Sequence, residues 1–289
     1  MANSGSGGGG IGRLLRQVGS GDWLGRVMDS YFNKSSAERW SQPDYTIHPS
    51  GCGNPCALSI ELGMLGHRGP MKGKNRRRMD NGTDAHTRWE RYLHEMGVLV
   101  VAEWNVKLVD PVTSGRVDAI IQNSATGDLY LVEVKTTNAR KFGELPKPTA
   151  DPAMNGAVLY KWHREWYLQF AFYLAHTDYN GRRLAGGLFI IENTDDQNYV
   201  LVYAKPSAEH TAEAERNATN AQRAILQGEV PSRPFPRGDH ACRWCDHVVY
   251  CGLLDEGDED AWSLISGQFK KLKLTLKRSL PGSGPGATP

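Results

Sequence analysis

Two carboxylates and an ammonium group stand at spacings that bring them together. The run Gly115-Arg-Val-Asp118-Ala-Ile-Ile-Gln122 leads into Asn123-Ser-Ala-Thr-Gly127, a turn composition, and the chain returns as Leu129-Tyr-Leu-Val-Glu133-Val-Lys135. Asp118 and Glu133 are symmetric about that turn, so a regular hairpin sets them opposite each other, with Cβ atoms roughly 4.5–5.5 Å apart. Side chains alternate along a strand, so Glu133 and Lys135 share a face and Tyr130, Val132 and Val134 take the other. Adjacent carboxylates repel unless a cation lies between them. A hard divalent ion such as Mg²⁺ or Mn²⁺ suits such an oxygen pair and acts as a Lewis acid on a phosphoryl oxygen. The competing reading is a cross-strand salt-bridge cluster; the apolar company of Ala119, Ile120, Ile121, Leu131, Val132 and Val134 weighs against it, because charges in a buried hairpin have a partner or a task.

A second constellation is thiol-based. Cys242-Arg-Trp-Cys245 is followed by Cys251, three of only five cysteines within ten positions. Thiolates at this spacing bind Zn²⁺ or an iron–sulfur cluster, and either requires a fourth ligand from far away, Cys52 or Cys56. His247 is an alternative ligand if the metal is zinc.

The elements that must position these groups follow from periodicity. A helix is predicted over 11–32 and another over Thr83–Met96, stopped by Gly97, with 33–80 irregular. On the second helix His86 and Glu90 share a face. Strands are predicted at Val98–Val109, Gly115–Gln122 and Asp128–Lys135, then a Pro-containing loop over 138–157. An aromatic helix is predicted over Leu159–His176, strands at Gly187–Glu192 and Tyr199–Tyr203, a polar helix over Ala208–Gln227 and a short helix near 259–273. On the aromatic helix Gln169 and Tyr173 stack one turn apart, while Trp162, Trp166 and Phe170 read as a packing stripe. This order implies a mixed α/β core.

Composition sets the bounds. The chain of 289 residues, 39% hydrophobic, suffices for one sizeable core with an added lobe. Its net charge of +2 excludes indiscriminate coating of nucleic acid but allows a local basic groove, for which Lys72, Lys74, Arg76, Arg77, Arg78, Arg140 and Lys141 are candidates. No apolar run reaches the roughly 20 residues of a membrane span, and Met1–Gly10 has no apolar signal-peptide core. The expected compartment is therefore the cytoplasm, or a host cell's cytoplasm for a phage-encoded chain, where clustered cysteines favour metal ligation over disulfides.

Asp118 followed by Glu133-Val-Lys135 resembles the PD-(D/E)XK nuclease superfamily, although Val117 stands where a Pro often precedes the Asp. The His on the preceding helix and the Gln-x-x-x-Tyr pair resemble the RecB-like nucleases. One cysteine ahead of the core and three behind it resemble the iron–sulfur nucleases of the AddB type and the CRISPR-associated single-strand exonucleases. The resemblance implies a restriction-endonuclease-like mixed sheet flanked by helices, its N- and C-terminal segments joined by a cysteine metal cluster. It implies Asp118, Glu133 and Lys135 as catalytic residues, His86 with Asp118 and Glu133 as ligands of Mg²⁺ or Mn²⁺, and Gln169 and Tyr173 as DNA-contacting or supporting residues. It further implies a [4Fe–4S] cluster on Cys56, Cys242, Cys245 and Cys251, since the family's first cysteine leads into a helix as Cys56 does; structural Zn²⁺ is the alternative.

The expected layout is a disordered tail over 1–10, a helical extension over 11–49, a nuclease domain over 50–255, a C-terminal helix over 256–280 and a disordered tail over 281–289. The expected activity is metal-dependent hydrolysis of DNA by an exonuclease acting on single-stranded ends. The alternative is a catalytically silent DNA-binding or assembly protein with the same fold and metal staple. Membrane association is not expected; protein partners and an oligomeric state are left open.

Overall fold

The computed structural model describes residues 24–28, 30–32, 43–67, 69, 73–228, 234–236, 239–243 and 245–280. Most of the expected 11–32 helix and both expected tails lie outside them; within that helix, 24–28 and 30–32 are helical.

A mixed five-stranded sheet carries the chain. Strands β1 (Leu99–Val109), β2 (Val112–Gln122) and β3 (Leu129–Thr137) form an antiparallel meander. Two helices, α4 (Pro152–Trp162) and α5 (Arg164–His176), then cross over and return the chain through a small hairpin, β4 (Asp178–Tyr179) and β5 (Arg182–Arg183). Strand β6 (Gly186–Asn193) pairs parallel to β3, and β7 (Tyr199–Ala204) closes the edge antiparallel to β6, giving the order β1-β2-β3-β6-β7. A parallel pair needs a long crossover, and the helical pair α4–α5 supplies it.

Helices cover both faces. On one, α2 (Gly73–Glu95) packs Trp89 and Leu93 against Ala119, Val132, Val134 and Ile190. On the other, α4 and α5 pack Leu159, Tyr167, Phe170 and Tyr173 against Leu129, Leu131, Phe189 and Ile191. Beyond α5 lies a helical lobe of α1 (Ala57–Met64), α6 (Ala208–Gln227), α8 (Val248–Asp255) and α9 (Glu259–Ser279), with the short α3 (Ala139–Gly143) and α7 (His240–Arg243) in the connections. Leu58, Leu62, Phe172, Ala218, Ile265 and Leu272 build its core. The long helices α2 and α6 stop where expected: Gly97 and Gly228 take the left-handed conformation with φ of 69° and 76°.

Four expectations change, and one is the Pro-containing loop over 138–157: it holds α3 and the start of α4, where Pro152 opens the helix and the Asp151 side chain caps it by accepting from the Ala153 N–H. Helix α2 begins ten residues before Thr83, so Lys74, Arg76, Arg77 and Arg78 lie on a helix and not in a loop, while Lys72 lies outside the described residues; Arg and Lys are good helix formers. The aromatic helix is two helices, broken at His163 with φ −152° and ψ 78°. The region 33–80 also contains α1, whose first residue follows Cys56 directly.

Within α1, Glu61 is wholly buried and neither carboxylate oxygen has a hydrogen-bond partner among the described residues. Burial pushes its pKa up to about 9. Because the folded value lies above the unfolded one near 4.5, stability is full below pH 4.5 and falls as pH rises toward 9, by ~3 kcal/mol at pH 7. Glu61→Met removes that penalty. Unfolding midpoints of the variant and the wild type should therefore diverge as pH rises from 5 to 8, the variant being the more stable; a difference independent of pH would contradict a protonated Glu61.

Candidate active site

The hairpin register is the one that the symmetry about 123–127 requires. Gln122 pairs with Leu129, Ile121 with Tyr130, Ile120 with Leu131 and Ala119 with Val132. The next step would pair Asp118 with Glu133, and there β2 departs. Val117 packs on the α5 face while Ala119 packs on the α2 face, so two residues that a flat strand would hold on one face are divided between two. Glu103, at the register step opposite Asp118 in β1, has φ 52°, a left-handed residue within a strand. The irregularity leaves the Asp118 carboxylate at the end of the ladder, where Oδ2 accepts from the Val134 backbone N–H at 2.7 Å and Oδ1 lies 3.2 Å from His86 Nδ1.

Glu133 and Lys135 point to the α5 face, as alternation dictates. Lys135 Nζ lies 2.6 Å from Glu133 Oε1 and donates to Gln169 Oε1 at 3.1 Å. Glu133 is 1% exposed, and its Oε2 is buried with no hydrogen-bond partner among the described residues. Its pKa is raised: burial dominates, Lys135 offsets part, and the charge of Asp118 adds to the rise. His86 responds oppositely. Burial alone lowers its pKa, but the hydrogen bond and charge of Asp118 outweigh burial and the net shift is upward. Tyr173 is buried beneath Gln169 on α5; burial and then the charges of Glu133 and Asp118 raise its pKa. A Cβ at Gly115 would collide with the Tyr173 hydroxyl and the Pro49 ring, so a glycine is required there for α5 to approach β2 so closely.

Asp118, Glu133, Lys135, His86 and Gln169 thus form one connected group, with Tyr173 against it. Glu90, the other residue of the His86 face, is exposed on α2. Two further residues position the group and were not singled out from sequence. Glu192, 3% exposed at the end of β6, accepts from Trp89 Nε1 at 2.7 Å and from Arg88 at 2.5 Å, which pins α2 and with it His86 to the sheet. The signal was present, since a carboxylate closing the apolar run Leu188–Ile191 has the same form as Glu133 within its strand. His163 lowers its pKa to about 4 through burial, then the charges of Lys141 and Lys135, so its ring is neutral beside the site.

The donor set fits a hard divalent cation: two carboxylates and an imidazole, with one buried carboxylate oxygen lacking a partner. Among the described residues, no three His, Cys, Asp or Glu side chains converge as the ligands of one metal ion do.

The cysteines gather at the other side of α5. A cavity of about 120 Å³ is lined by Cys56, Cys242, Cys245 and Cys251, together with Leu58, Leu62, Phe235 and Val248. Burial raises the pKa of the Cys56 thiol, and the three other thiols add to the rise. The approach to Cys56 is held by Asn54, whose Oδ1 accepts from the Cys56 N–H at 2.9 Å and whose Nδ2 donates to Ser59 Oγ at 3.1 Å; Ser59 Oγ lies 3.8 Å from Cys245 Sγ. Cys52 is elsewhere. It is wholly buried in the helical-lobe core, its thiol pushed up to about 12, with Sγ 3.9 Å from the His48 carbonyl. His247 lines the cavity too, and its Nδ1 lies 2.6 Å from the His67 carbonyl oxygen.

Compared with known families, residues 24–252 match the model of the PD-(D/E)XK nuclease superfamily. The chain belongs to that superfamily. Its members are metal-dependent nucleases that typically use Mg²⁺ or Mn²⁺, and DNA is the substrate class the family implies. The crystal structure of SSO0001 is 15% identical and covers 76% of this PD-(D/E)XK chain and 94% of its own, at a TM-score of 0.40. No curated protein matches. No helix among the described residues is long and apolar enough to cross a membrane.

Proposed function

We propose that the protein is a RecB-like DNA exonuclease that hydrolyses phosphodiester bonds at single-stranded ends, with Asp118, Glu133 and Lys135 as its catalytic residues. The observation that carries this reading is that the buried Glu133, paired with Lys135 and through it with the Gln169 amide, lies within electrostatic reach of the Asp118–His86 pair. Asp118 and Glu133 are the residues that would hold a divalent cation, with His86 as a third ligand. When bound there, Mg²⁺ or Mn²⁺ supplies Lewis acidity toward the phosphodiester. Lys135 carries a positive charge to the same place and neutralises charge that develops on the phosphoryl oxygens. Gln169 fixes the direction of the Lys135 ammonium, and Tyr173, kept protonated by burial, hydrogen-bonds the Arg116 backbone and the Gln169 side chain.

The four cysteines that line one cavity support a [4Fe–4S] cluster on Cys56, Cys242, Cys245 and Cys251, a staple that ties the two ends of a nuclease domain spanning 50–255. A cluster spreads its thiolates over several irons, so they need not converge on one point as the ligands of a single zinc must. The measurement for the activity is release of nucleotides from end-labelled single-stranded DNA. Release that depends on Mg²⁺ or Mn²⁺ and is lost in the Asp118→Ala, Glu133→Ala double variant is expected; full activity in that variant would overturn the site, and metal-stimulated cleavage confined to internal bonds would overturn the exonuclease reading.

A further inference from the structure

We propose that His163 and Trp166 form a stacking platform for the unpaired nucleobase next to the scissile phosphate, so that the site selects a strand whose bases are free. The inference rests on the nuclease reading and adds to it the part of the substrate that the carboxylates do not touch.

The geometry begins at Lys135. Its ammonium lies 2.6 Å from Glu133 on one side and 5.9 Å from the centre of the Trp166 ring on the other. Trp166 is one turn ahead of Gln169 on α5, so the aromatic group adjoins the catalytic group directly. His163 lies parallel to Trp166, with centroids 3.8 Å apart and 9° between planes. Trp162 meets Trp166 edge-on at 5.7 Å, and Lys141 lies 5.4 Å from the Trp162 ring centre. The three rings are half-buried: each is backed by protein and keeps part of its surface in solvent.

The break at His163 sets the orientation of its ring. Residues 163 and 166 would be neighbours on a continuous helix too, but with φ −152° and ψ 78° between α4 and α5 His163 holds its imidazole flat on the Trp166 ring. Trp162 and Trp166 pack partly on the core that Tyr167, Phe170 and Tyr173 build, and each of the two indoles and the His163 ring keeps part of its surface in solvent. The neutral His163 ring is suited to stacking, since a charged one would hold its hydration shell. Flanking cations complete the match. Lys135 adjoins the Trp166 ring and Lys141 the Trp162 ring, the pairing of cations for phosphates with aromatic faces for bases that sites for single-stranded nucleic acid use. Bases in a duplex have both faces covered by their neighbours, so only an unpaired end can use such a platform.

The test is binding in Ca²⁺, using a twelve-residue oligothymidylate and an abasic oligomer of equal length, read by fluorescence anisotropy. Stacking on aromatic side chains predicts roughly five- to hundredfold tighter binding of the base-bearing strand. Trp166→Leu and, separately, His163→Ala should bring that ratio close to one, and Trp166→Phe should restore most of it. No preference in the wild type, or a preference that survives both substitutions, overturns the platform. A protein that cleaves no DNA yet loses its base preference on Trp166→Leu would overturn the nuclease reading and keep the platform, so the two failures are distinct.

Discussion

Glu133→Gln lowers cleavage by about a thousandfold and, in the presence of EDTA, raises the melting temperature above pH 7. Both effects come from one carboxylate. Lewis-acid assistance is worth several kcal/mol, and each 1.36 kcal/mol is a factor of ten, so a site that loses a charged oxygen ligand loses about three orders of magnitude. The stability change has the opposite sign. The Glu133 pKa is raised in the folded protein because burial opposes ionisation more than Lys135 favours it. A raised folded pKa means stability that is complete below the unfolded value near 4.5 and declines as pH rises through the folded value. The neutral amide escapes that decline, so its advantage grows with pH. Adding Mg²⁺ should stabilise the wild type by mass action and leave the variant nearly unmoved. Scanning calorimetry at pH 6 and 8, with EDTA and with Mg²⁺, reads all four combinations. A variant destabilised at pH 8 in EDTA would show that the Glu133–Lys135 pair is a structural contact whose charge the fold needs.

That trade of stability for a buried charge explains why the centre of the site was readable in the sequence. A carboxylate between Val132 and Val134 is out of place energetically, and the strand period alone assigns it to the face of Lys135. The hairpin register is equally a matter of counting, and the observed pairs obey it. What counting could not reach is the irregularity at Asp118. A left-handed Glu103 and a change of face between Val117 and Ala119 are stable only because α2 and α5 pack on opposite sides there. The same limit hid the break at His163: nothing in Leu159–His176 lowers helix propensity sharply enough to mark it, and the stacking of His163 on Trp166 is tertiary in origin. Helix α1 was missed because eight mostly apolar residues have no period to detect. The early start of α2 was missed because its first turns are basic, and a helix without a buried face leaves no hydrophobic pattern.

With the proposed cluster in place, Cys56→Ala should abolish iron binding and the brown absorbance that goes with it and cost roughly 10–20 °C of melting temperature, while Cys52→Ala leaves iron binding intact. The two residues are four apart, have the same chemistry and are both shielded from solvent, so composition does not separate them. Position does: Cys56 faces the cavity that Cys242, Cys245 and Cys251 line, and Cys52 lies within the helical-lobe core. The magnitude follows from loop closure. A link from residue 56 to residues 242–251 closes nearly two hundred residues, and by the chain-entropy model a cross-link of that span is worth about 5 kcal/mol. For a domain of this size each kcal/mol shifts the melting temperature by about 2–4 °C. The loss is not confined to one segment, because Arg164 donates to the Gly53 carbonyl at 3.0 Å and also pairs with Glu213, so the cysteine loop is tied to α5 and α6 together. Loosening it therefore reaches the helix that carries Gln169 and Tyr173, and cleavage should fall with iron content across partially loaded samples. Iron retained in Cys56→Ala, or lost in Cys52→Ala, would reverse the assignment, and stoichiometric zinc in place of iron would replace the cluster with a single-ion site.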